Sequence, residues 1–269
     1  MDVRGAADGD LPAIARIALA NDDGDGADPR YVAHLRAHGR FLVAAAADGA
    51  AAGYCAVRCL DGLTLLCDLF VDPARHGGGA GRRLLDAAFD AGFEAGFEAG
   101  GERSTFASRD PRAMSLYVRY GMVPRWPLLY LEGPPLAGTP AERVPAAVAA
   151  AAERELNGRD RSADYAFWAA TPGATGLLVR DGDAVAAAGI AGPDRLFHLV
   201  TADGADPAAT LRAALATFTA ARVRLCLPGP HPALPLLLDA RWRIEDADQH
   251  MSSRPDLLSP ADVLSASLA

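Results

Sequence analysis

LFVDPARHGGGAGRRLL, from Leu69 to Leu85, joins an apolar strand to an amphipathic helix through a loop that contains four glycines. Glycine accepts backbone conformations that a side chain forbids, so consecutive N–H groups in such a loop can turn toward one point. The first turn of the following helix adds N–H donors and the positive end of the helix dipole. Arg82 and Arg83 add two full positive charges at the helix start. The stretch therefore predicts a binding site for a phosphorylated ligand.

Two common phosphate-binding patterns do not fit this loop. The dinucleotide pattern G-x-G-x-x-G fails, because Gly77 and Gly79 are followed by Arg82 where a third glycine is required. The nucleoside triphosphate pattern requires a lysine, and the chain contains none. A glycine cluster also forms ordinary tight turns, so the flanking residues have to distinguish the two interpretations.

The residues around the loop match a known family. From Val71 to Gly81 the chain reads VDPARHGGGAG, which resembles the pyrophosphate loop of the GNAT N-acetyltransferases, usually V-x-P-x-x-R/Q-G-x-G-x-G/A. His76 departs from that pattern, and Arg75 beside it is expected to substitute in part. From Asp110 to Met122 the chain reads DPRAMSLYVRYGM, which is similar to the later GNAT motif N-x-x-A-x-x-L-Y-x-x-x-G-F. The two matches together indicate a GNAT-like domain over residues 3–131.

The resemblance implies which residues form the site. In this family the motif tyrosine donates a proton to the departing thiolate of coenzyme A, or hydrogen-bonds it. Tyr117 matches this tyrosine, whereas Tyr120 is expected to pack in the core. Asp110 replaces an asparagine that would contact the pantetheine chain, and a carboxylate alters that contact because it only accepts. The implied acyl-CoA-binding residues are Leu69, Phe70, Val71, His76, Gly77, Gly78, Gly79, Ala80, Gly81, Arg82 and Asp110.

Direct acyl transfer from acetyl-CoA, or another acyl-CoA, to an amine is the reaction that the resemblance implies. A base or a water path must take the proton of the amine. The thioester oxygen needs hydrogen-bond donors, which a splayed strand near Leu69–Val71 would supply. Asp68 is the carboxylate beside that strand, and its apolar neighbours are expected to raise its pKa into the range of a base. Alternatively, Asp68 hydrogen-bonds a neighbouring loop or points away from the acceptor cleft.

Composition indicates a globular protein without metal or nucleic acid. The 269 residues are 51% hydrophobic and 22% charged, enough for one large or two smaller domains. No apolar run could span a bilayer and the first residues lack the apolar core of a secretion signal, so we expect a cytoplasmic protein without membrane contact. The net charge of −8 and scattered arginines disfavour nucleic acid. His34 and His38 lack a third ligand, and the acidic run Asp22–Asp28 lacks the glutamate that closes a calcium loop.

The order of elements predicts an α/β fold, a mixed α+β sheet flanked by helices. The first half contains a pair of helices, antiparallel strands joined by a hairpin at Asp48-Gly49, and the glycine loop. A helix from about Gly81 to Phe97, a strand, a helix and a last strand at Trp126–Leu131 follow. We expect a GNAT acyltransferase domain over residues 1–132, an interdomain linker over 133–141 and a second domain over 142–269.

The second half repeats this plan, which indicates two tandem GNAT-like domains. Helices are expected over about Ala141–Leu156 and Pro207–Ala221. Where the first half has its glycine loop, the second has Thr201–Pro207, with two acids and one glycine. Carboxylates repel phosphate, and Leu237 replaces Tyr117. The second half is therefore expected to have kept the scaffold and lost the chemistry, and to cover the acceptor cleft or form homodimer contacts.

Three functions are compatible with the sequence. The first is an N-acyltransferase that acts on a small-molecule amine. The second is a non-catalytic acyl-CoA-binding or regulatory protein, which His76 and Asp110 favour. The third is transfer from another donor, such as a carrier-protein thioester, since the fold does not fix the substrate.

Overall fold

The computed structural model describes residues 1–24, 26–47, 49–90 and 101–268. Its contacts divide the chain into two compact units. The first unit contains Met1–Phe106, Pro111–Val123 and Ser252–Leu257, and the second contains Ala107–Asp110, Pro124–Met251 and Leu258–Ala269. None of the helices within the described ranges is long and apolar enough to cross a bilayer.

Over the described residues, the chain contains the same ten α-helices and strands twice, in the order strand, two helices, three strands, helix, strand, helix, strand. The first copy comprises β1 (Asp2–Gly5), α1 (Leu11–Leu19), α2 (Pro29–His38), β2 (Arg40–Ala45), β3 (Ala51–Leu60), β4 (Leu63–Val71), α3 (Ala80–Ala88), β5 (Glu102–Ala107), α4 (Pro111–Arg119) and β6 (Val123–Gly133). The second copy comprises β7 (Glu142–Val144), α5 (Ala146–Asn157), α6 (Ser162–Ala169), β8 (Thr175–Asp181), β9 (Ala184–Ala191), β10 (Leu196–Thr201), α7 (Pro207–Leu215), β11 (Val223–Pro228), α8 (Leu234–Asp239) and β12 (Arg243–Ser252). The repetition confirms the mixed α/β fold of two tandem copies.

The sheet of the first unit opens at the carboxyl end of β4. Its strands have the order β1-β2-β3-β4-β5, and all neighbours are antiparallel except β4 and β5, which are parallel. The parallel pairing of β4 with β5 runs from Leu63 to Leu66, whereas β3 stays paired with β4 as far as Val71. β4 and β5 therefore splay apart before Leu69–Val71, as the sequence predicts, and the glycine loop begins at this opening.

Helix α3 is shorter than the sequence predicts, because a distant arginine ends it. The expected helix to about Phe97 stops at Ala88, and the part over residues 91–97 lies outside the described residues. Arg40 of β2 is buried, and its Nη1 donates to the carbonyl oxygens of Ala87, Ala88 and Asp90 at 2.9, 3.0 and 2.8 Å. The guanidinium thus satisfies carbonyls that a helix end leaves without partners.

Two helices of the second copy also differ from expectation. Helix α5 begins at Ala146 rather than Ala141, because Glu142–Val144 forms strand β7 and pairs with β8. Helix α7 ends at Leu215 rather than Ala221, and the Thr217 hydroxyl donates to the carbonyl of Ala214 at 2.6 Å near this end. A side chain that bonds the backbone locally competes with continuation of the helix.

The second unit contains two groups of strands around one apolar core. Strands β7 to β10 form an antiparallel sheet in the order β10-β9-β8-β7, and β6 lies between β12 and β11. The register of β6 with β11 is antiparallel and pairs Gly133 with Val223. The core includes Leu131, Leu177, Leu199, Leu211, Leu225 and Trp242.

These contacts divide the chain differently from the bounds expected from sequence. Residues 133–141, expected to form a linker, lie in the second unit, where Leu136 and Ala141 are buried in its core. The backbone N–H of Ala141 donates to the carbonyl of Ala213 at 3.0 Å. The bounds 1–132 and 142–269 stay a prediction about the two copies. The hairpin expected at Asp48-Gly49 is described only from Gly49, whose φ is 80°.

Candidate functional site

The base of the glycine loop is fixed by Asp72, which directly follows β4. Its carboxylate accepts a hydrogen bond from the N–H of Ala74 at 3.0 Å and pairs with Arg16 Nη1 of α1 at 2.8 Å. The Arg16 guanidinium and the Ala74 N–H together lower the pKa of Asp72. The start of the loop is therefore held by a hydrogen bond to its own backbone and by an ion pair with helix α1.

Two of the loop glycines are required by backbone geometry. Gly77 and Gly79 have φ values of 81° and 80°, a region that L side chains rarely adopt. Gly79 is also the N-cap of α3. Gly81 has no such φ, and a Cβ there would lie 3.5 Å from Leu116 Cδ2, an ordinary contact. Glycine is thus conformationally necessary at 77 and 79, but not at 81.

The loop and the start of α3 present a continuous row of donors. Within the described chain, the backbone N–H groups of residues 77–82 take no protein acceptor, and the first i→i−4 bond at this end is from Arg83 to Gly79, at 3.1 Å. A Cβ on Gly77 or Gly79 would meet no atom within 4 Å, so the space beside the loop is open. Arg82 is exposed, and its Nε lies 3.9 Å from the Asp86 carboxylate, a distance at which the pair holds it weakly. This arrangement can bind an anion with several oxygens.

His76 connects the loop to helix α4. Its Nε2 lies 3.1 Å from the carbonyl oxygen of Val71, and its Nδ1 lies 3.2 Å from Nη1 of Arg112. Arg75, its neighbour in sequence, is expected to substitute in part for the arginine or glutamine of the family pattern, and that expectation stays a prediction; the arginine that contacts the ring is Arg112. Arg112 stands at a variable position of the second motif, so no sequence pattern identifies it.

The buried carboxylate of Asp68 is held by a tyrosine. Asp68 is 5% exposed, and its Oδ1 accepts a hydrogen bond from Tyr31 Oη of α2 at 3.0 Å. Burial raises the pKa of the Cys55 thiol on the neighbouring strand, and the charge of Asp68 raises it further. Asp68 therefore hydrogen-bonds a residue of helix α2. The sequence left the contacts of the Asp68 carboxylate open, and it did not identify Tyr31 as one of them.

The two tyrosines of α4 occupy different environments. Tyr117 is 5% exposed. Tyr120, expected to pack in the core, is partly exposed, and its hydroxyl donates to Asp86 at 2.7 Å. Burial and this carboxylate raise the pKa of Tyr120. Tyr120 thus fastens α4 to α3, while Tyr117 is turned into the first unit.

Comparison with known proteins shows what the first copy is similar to. Residues 13–122 match the family model described as acetyltransferase (GNAT) family. Over these residues the chain is similar to the GNAT acetyltransferases. The search of curated proteins gave no match.

Solved structures show the same fold over the whole chain. A candidate acetyltransferase from Pyrococcus horikoshii covers 100% of this chain and 95% of its own, with a TM-score of 0.75 and 16% identity. A GCN5-related N-acetyltransferase from Anabaena variabilis covers 93% of this chain and 72% of its own, with a TM-score of 0.64 and 15% identity. A tandem GNAT protein from the clavulanic acid biosynthesis pathway covers 96% and 99%, with a TM-score of 0.62 and 13% identity. At these identities the likeness shows the tandem GNAT fold alone.

In the second GNAT-like copy, a carboxylate of the chain itself caps the helix that follows the corresponding loop. The loop before α7 has one glycine with a positive φ, Gly204 at 82°. Asp206 caps α7, and its carboxylate accepts from the N–H of Ala208 at 2.9 Å. A carboxylate of the chain itself therefore sits at the helix start where the first copy offers N–H groups. Asp110, expected to contact the pantetheine chain, falls in the second unit, where its N–H lies 3.5 Å from Ser108 Oγ.

Part of the acidic loop of the first GNAT-like copy is turned inward. Asp23 accepts hydrogen bonds from Tyr54 Oη at 3.1 Å and from the N–H of Gly26 at 3.0 Å. Asp28 caps α2 by accepting from the N–H of Arg30 at 2.8 Å. Two of the four carboxylates in the run therefore serve the fold, and Asp25 lies outside the described residues. Among the described residues, no group of three or more His, Cys, Asp or Glu side chains could hold a metal ion.

Proposed function

We propose that the first copy is an N-acyltransferase that moves an acyl group from an acyl-CoA directly to an amine, with acetyl-CoA as the first donor to test. Similarity to an acetyltransferase family supports acyl transfer in general. The single observation that supports a coenzyme A thioester is the row of N–H groups at residues 77–82 without protein acceptors. These donors can bind a diphosphate, because the glycines leave the space beside the loop open and the donors lie at the N-terminus of an α-helix.

The acyl-CoA supplies the activated acyl group, and each part of the site binds or reacts with a different part of the acyl-CoA. We assign the diphosphate to Gly77, Gly78, Gly79, Ala80, Gly81 and Arg82. The backbone of Leu69, Phe70 and Val71 lies beyond the pairing with β5, so its polar groups can bind the pantetheine chain and the thioester oxygen. Tyr117 gives a proton to the coenzyme A sulfur, and Asp68 accepts the proton of the amine.

The acceptor that we propose is a small-molecule amine. A small amine needs a limited cleft, whereas binding nucleic acid requires a basic surface, and the net charge of the chain is −8. The inward bonds of Asp23 and Asp28 leave Asp22 as the other described acid of this loop that could face an amine. We also propose that the protein is cytoplasmic, that it has no membrane partner and that it forms a homodimer.

A second candidate is a non-catalytic acyl-CoA-binding protein. The observation that favours it is that Tyr117 and Asp68, the two candidate catalytic groups, are each 5% exposed. A buried phenol and a buried carboxylate also serve well as structural groups of a core. This candidate shares the acyl-CoA site and differs in the chemistry.

Thiol release from acetyl-CoA, measured across a panel of amines with mass spectrometry of the products, tests the proposal. We expect at least one amine to provoke thiol release and to gain an acetyl group. Tyr117→Phe is expected to slow this release about 100-fold without weakening acetyl-CoA binding, because general acid catalysis contributes at least that much. Tyr120→Phe is the matched control on the same helix and is expected to leave the rate nearly unchanged. Binding of acetyl-CoA without thiol release for any amine would establish the second candidate instead.

A further inference from the structure

We infer that the cleft between β10 and β11 of the second copy is a binding site for an extended polypeptide, and that residues 261–264 of the chain occupy it. These residues, the inserted segment, lie where the first copy would hold the pantetheine of an acyl-CoA. That comparison with pantetheine rests on the proposed function, whereas the peptide site rests on hydrogen bonds within the second unit.

Strand β10 corresponds to β4 residue by residue near its end. Val71, the last residue of β4, pairs with Gly53 of β3. Thr201, the last residue of β10, pairs with Ala187 of β9. In each copy the N–H of the residue after the strand donates, at 2.9 Å, to the carbonyl of the residue that precedes this partner. Thr201 therefore occupies the place of Val71.

The two strands that border the cleft diverge, as β4 and β5 do in the first copy. A parallel bridge joins Arg195, directly before β10, to Arg224 in β11. Strand β10 continues from there along β9 to its last residue, as β4 continues along β3 beyond its pairing with β5. One backbone edge of residues 199–201 therefore borders the cleft, as that of residues 69–71 does in the first copy.

The inserted segment lies in this cleft as an extended strand. The N–H of Leu199 donates to the carbonyl of Val263 at 3.1 Å, and the N–H of Val263 donates to the carbonyl of Leu199 at 2.9 Å, which forms an antiparallel pair. On the other side, the N–H of Leu264 donates to the carbonyl of Cys226 in β11 at 3.2 Å. Val263 and Leu264 are 1% and 3% exposed. The segment is thus bound by both strands, and Leu199, the counterpart of Leu69, gives its N–H and carbonyl to a polypeptide.

Polar contacts fix the register of the inserted segment. The carboxylate of Asp262 accepts a hydrogen bond from the N–H of Thr201 at 3.0 Å. The carbonyl of Ala261 accepts from Nε2 of His231 at 3.0 Å. Nδ1 of the same ring accepts from the N–H of Ala233 at 3.0 Å, so Nε2 carries the ring hydrogen. The cleft therefore recognises an acidic residue followed by two aliphatic residues in an extended peptide.

The inserted segment excludes an acyl-CoA from the second copy. It takes the N–H and carbonyl of Leu199 and the N–H of Thr201, which are the counterparts of the groups that we assign to the pantetheine and the thioester oxygen. The carboxylate of Asp206 stands at the start of the next helix. The second copy thus retains the cleft of the fold but binds polypeptide in it.

Binding of a synthetic peptide to the full chain tests this inference. The peptide has the sequence of residues 258–268, LSPADVLSASL, and carries a fluorophore, so that fluorescence anisotropy reports its binding. Val263→Pro removes the N–H that bonds Leu199 and so releases the inserted segment. The wild type is expected to bind the peptide at least about tenfold more weakly than Val263→Pro, because its own segment competes at the high effective concentration of a tethered ligand.

Two controls test whether the peptide enters the cleft as the inserted segment does. Ala266→Pro places proline nearby, at a residue whose N–H has no acceptor among the described residues, and is expected to bind the peptide as weakly as the wild type. A peptide with proline in place of Val263 is expected not to bind Val263→Pro. If circular dichroism shows that Val263→Pro is unfolded, Val263→Ala replaces it, since it keeps the N–H and loses two methyl groups. Val263→Ala is also expected to bind the peptide more tightly than the wild type.

The outcomes separate this inference from the proposed function. If the folded variants at Val263 bind the peptide no more tightly than the wild type, the peptide site is overturned and the acetyl-CoA site of the first copy is unaffected. If the wild type does not bind acetyl-CoA while Val263→Pro binds the peptide, the proposed function fails and the peptide site stands.

Hydrogen exchange of the wild type tests the comparison with pantetheine. Acetyl-CoA is expected to slow exchange of the amides of residues 69–71 and to leave those of residues 199–201 unchanged. Slower exchange at residues 199–201 would show that an acyl-CoA enters the second cleft and would overturn its exclusion by the inserted segment.

Discussion

Replacing Gly79 with alanine isolates the contribution of one backbone conformation to the acyl-CoA site. The φ of Gly79 is 80°, and a Cβ there meets no atom within 4 Å, so the substitution introduces strain without a clash. An L-residue in the left-handed region costs about 1–2 kcal/mol. If the loop keeps its shape, this cost lowers the free energy of unfolding. If the free loop relaxes, acyl-CoA must restore its shape, and the dissociation constant rises by about 5–30-fold.

Two measurements together give the whole free-energy cost of the Gly79→Ala substitution. Isothermal titration calorimetry with acetyl-CoA gives the change in binding, and urea unfolding followed by circular dichroism gives the change in stability. We expect the two losses to sum to about 1–2 kcal/mol for Gly79→Ala. Gly62→Ala is the matched control, because Gly62 has a φ of 85° and equally open surroundings in a turn between β3 and β4. It is expected to lose stability alone.

The reasoning is refuted if Gly79→Ala changes neither quantity. It is also refuted if Gly62→Ala weakens acetyl-CoA as much as Gly79→Ala does, because strain anywhere in the unit would then be sufficient.

Two further predictions concern titratable groups buried in the second unit. Burial raises the pKa of Asp262 to about 6, so stability should fall as pH rises from about 4 to 6, and Asp262→Asn should raise the free energy of unfolding at pH 7.5 by about 3 kcal/mol, at 1.36 kcal/mol per pH unit. For Glu153, burial would raise the pKa, but His198, Arg161 and Tyr165 together outweigh burial and lower the pKa to about 2. The stability that the Glu153 carboxylate contributes is present above about pH 4.5 and is lost toward pH 2, so Glu153→Gln should cost about 3 kcal/mol at pH 7 in urea unfolding.

Exposed acids provide the controls for both. Asp183→Asn and Glu155→Gln remove exposed carboxylates and are expected to shift stability by less than about 0.5 kcal/mol. An Asp262→Asn variant that is less stable than wild type at pH 7.5, or a Glu153→Gln variant that unfolds at the wild-type urea concentration, would contradict the roles assigned to these groups.

Local patterns predicted the elements around the site closely. Leu63–Val71 is an apolar run between turn signals, and Pro111 and Gly121 lie at the two ends of α4, so the local sequence accounts for the bounds of both elements. The end of α3 could not be predicted in this way. Arg40 stops it from a strand more than forty residues earlier, and no feature near Ala88 announces that contact.

The site was predictable where a motif fixes the backbone and not where side chains meet across the fold. The positive φ of Gly77 and Gly79 follows from glycine at two spaced positions of a loop. The bond from Tyr31 to Asp68 joins a helix to a strand, and the contact of His76 with Arg112 joins a loop to another helix. Such contacts depend on packing, which local spacing does not encode.

The stoichiometry of acetyl-CoA binding to paired loop variants tests the central claim most directly. Gly79 and Gly204 have nearly the same φ, 80° and 82°, and each precedes the corresponding helix of its copy. Calorimetry of the wild type is expected to show one acetyl-CoA per chain, with binding abolished by Gly79→Val and preserved by Gly204→Val. Two sites per chain, or loss of binding with Gly204→Val and retention with Gly79→Val, would contradict an acyl-CoA site formed by the first loop.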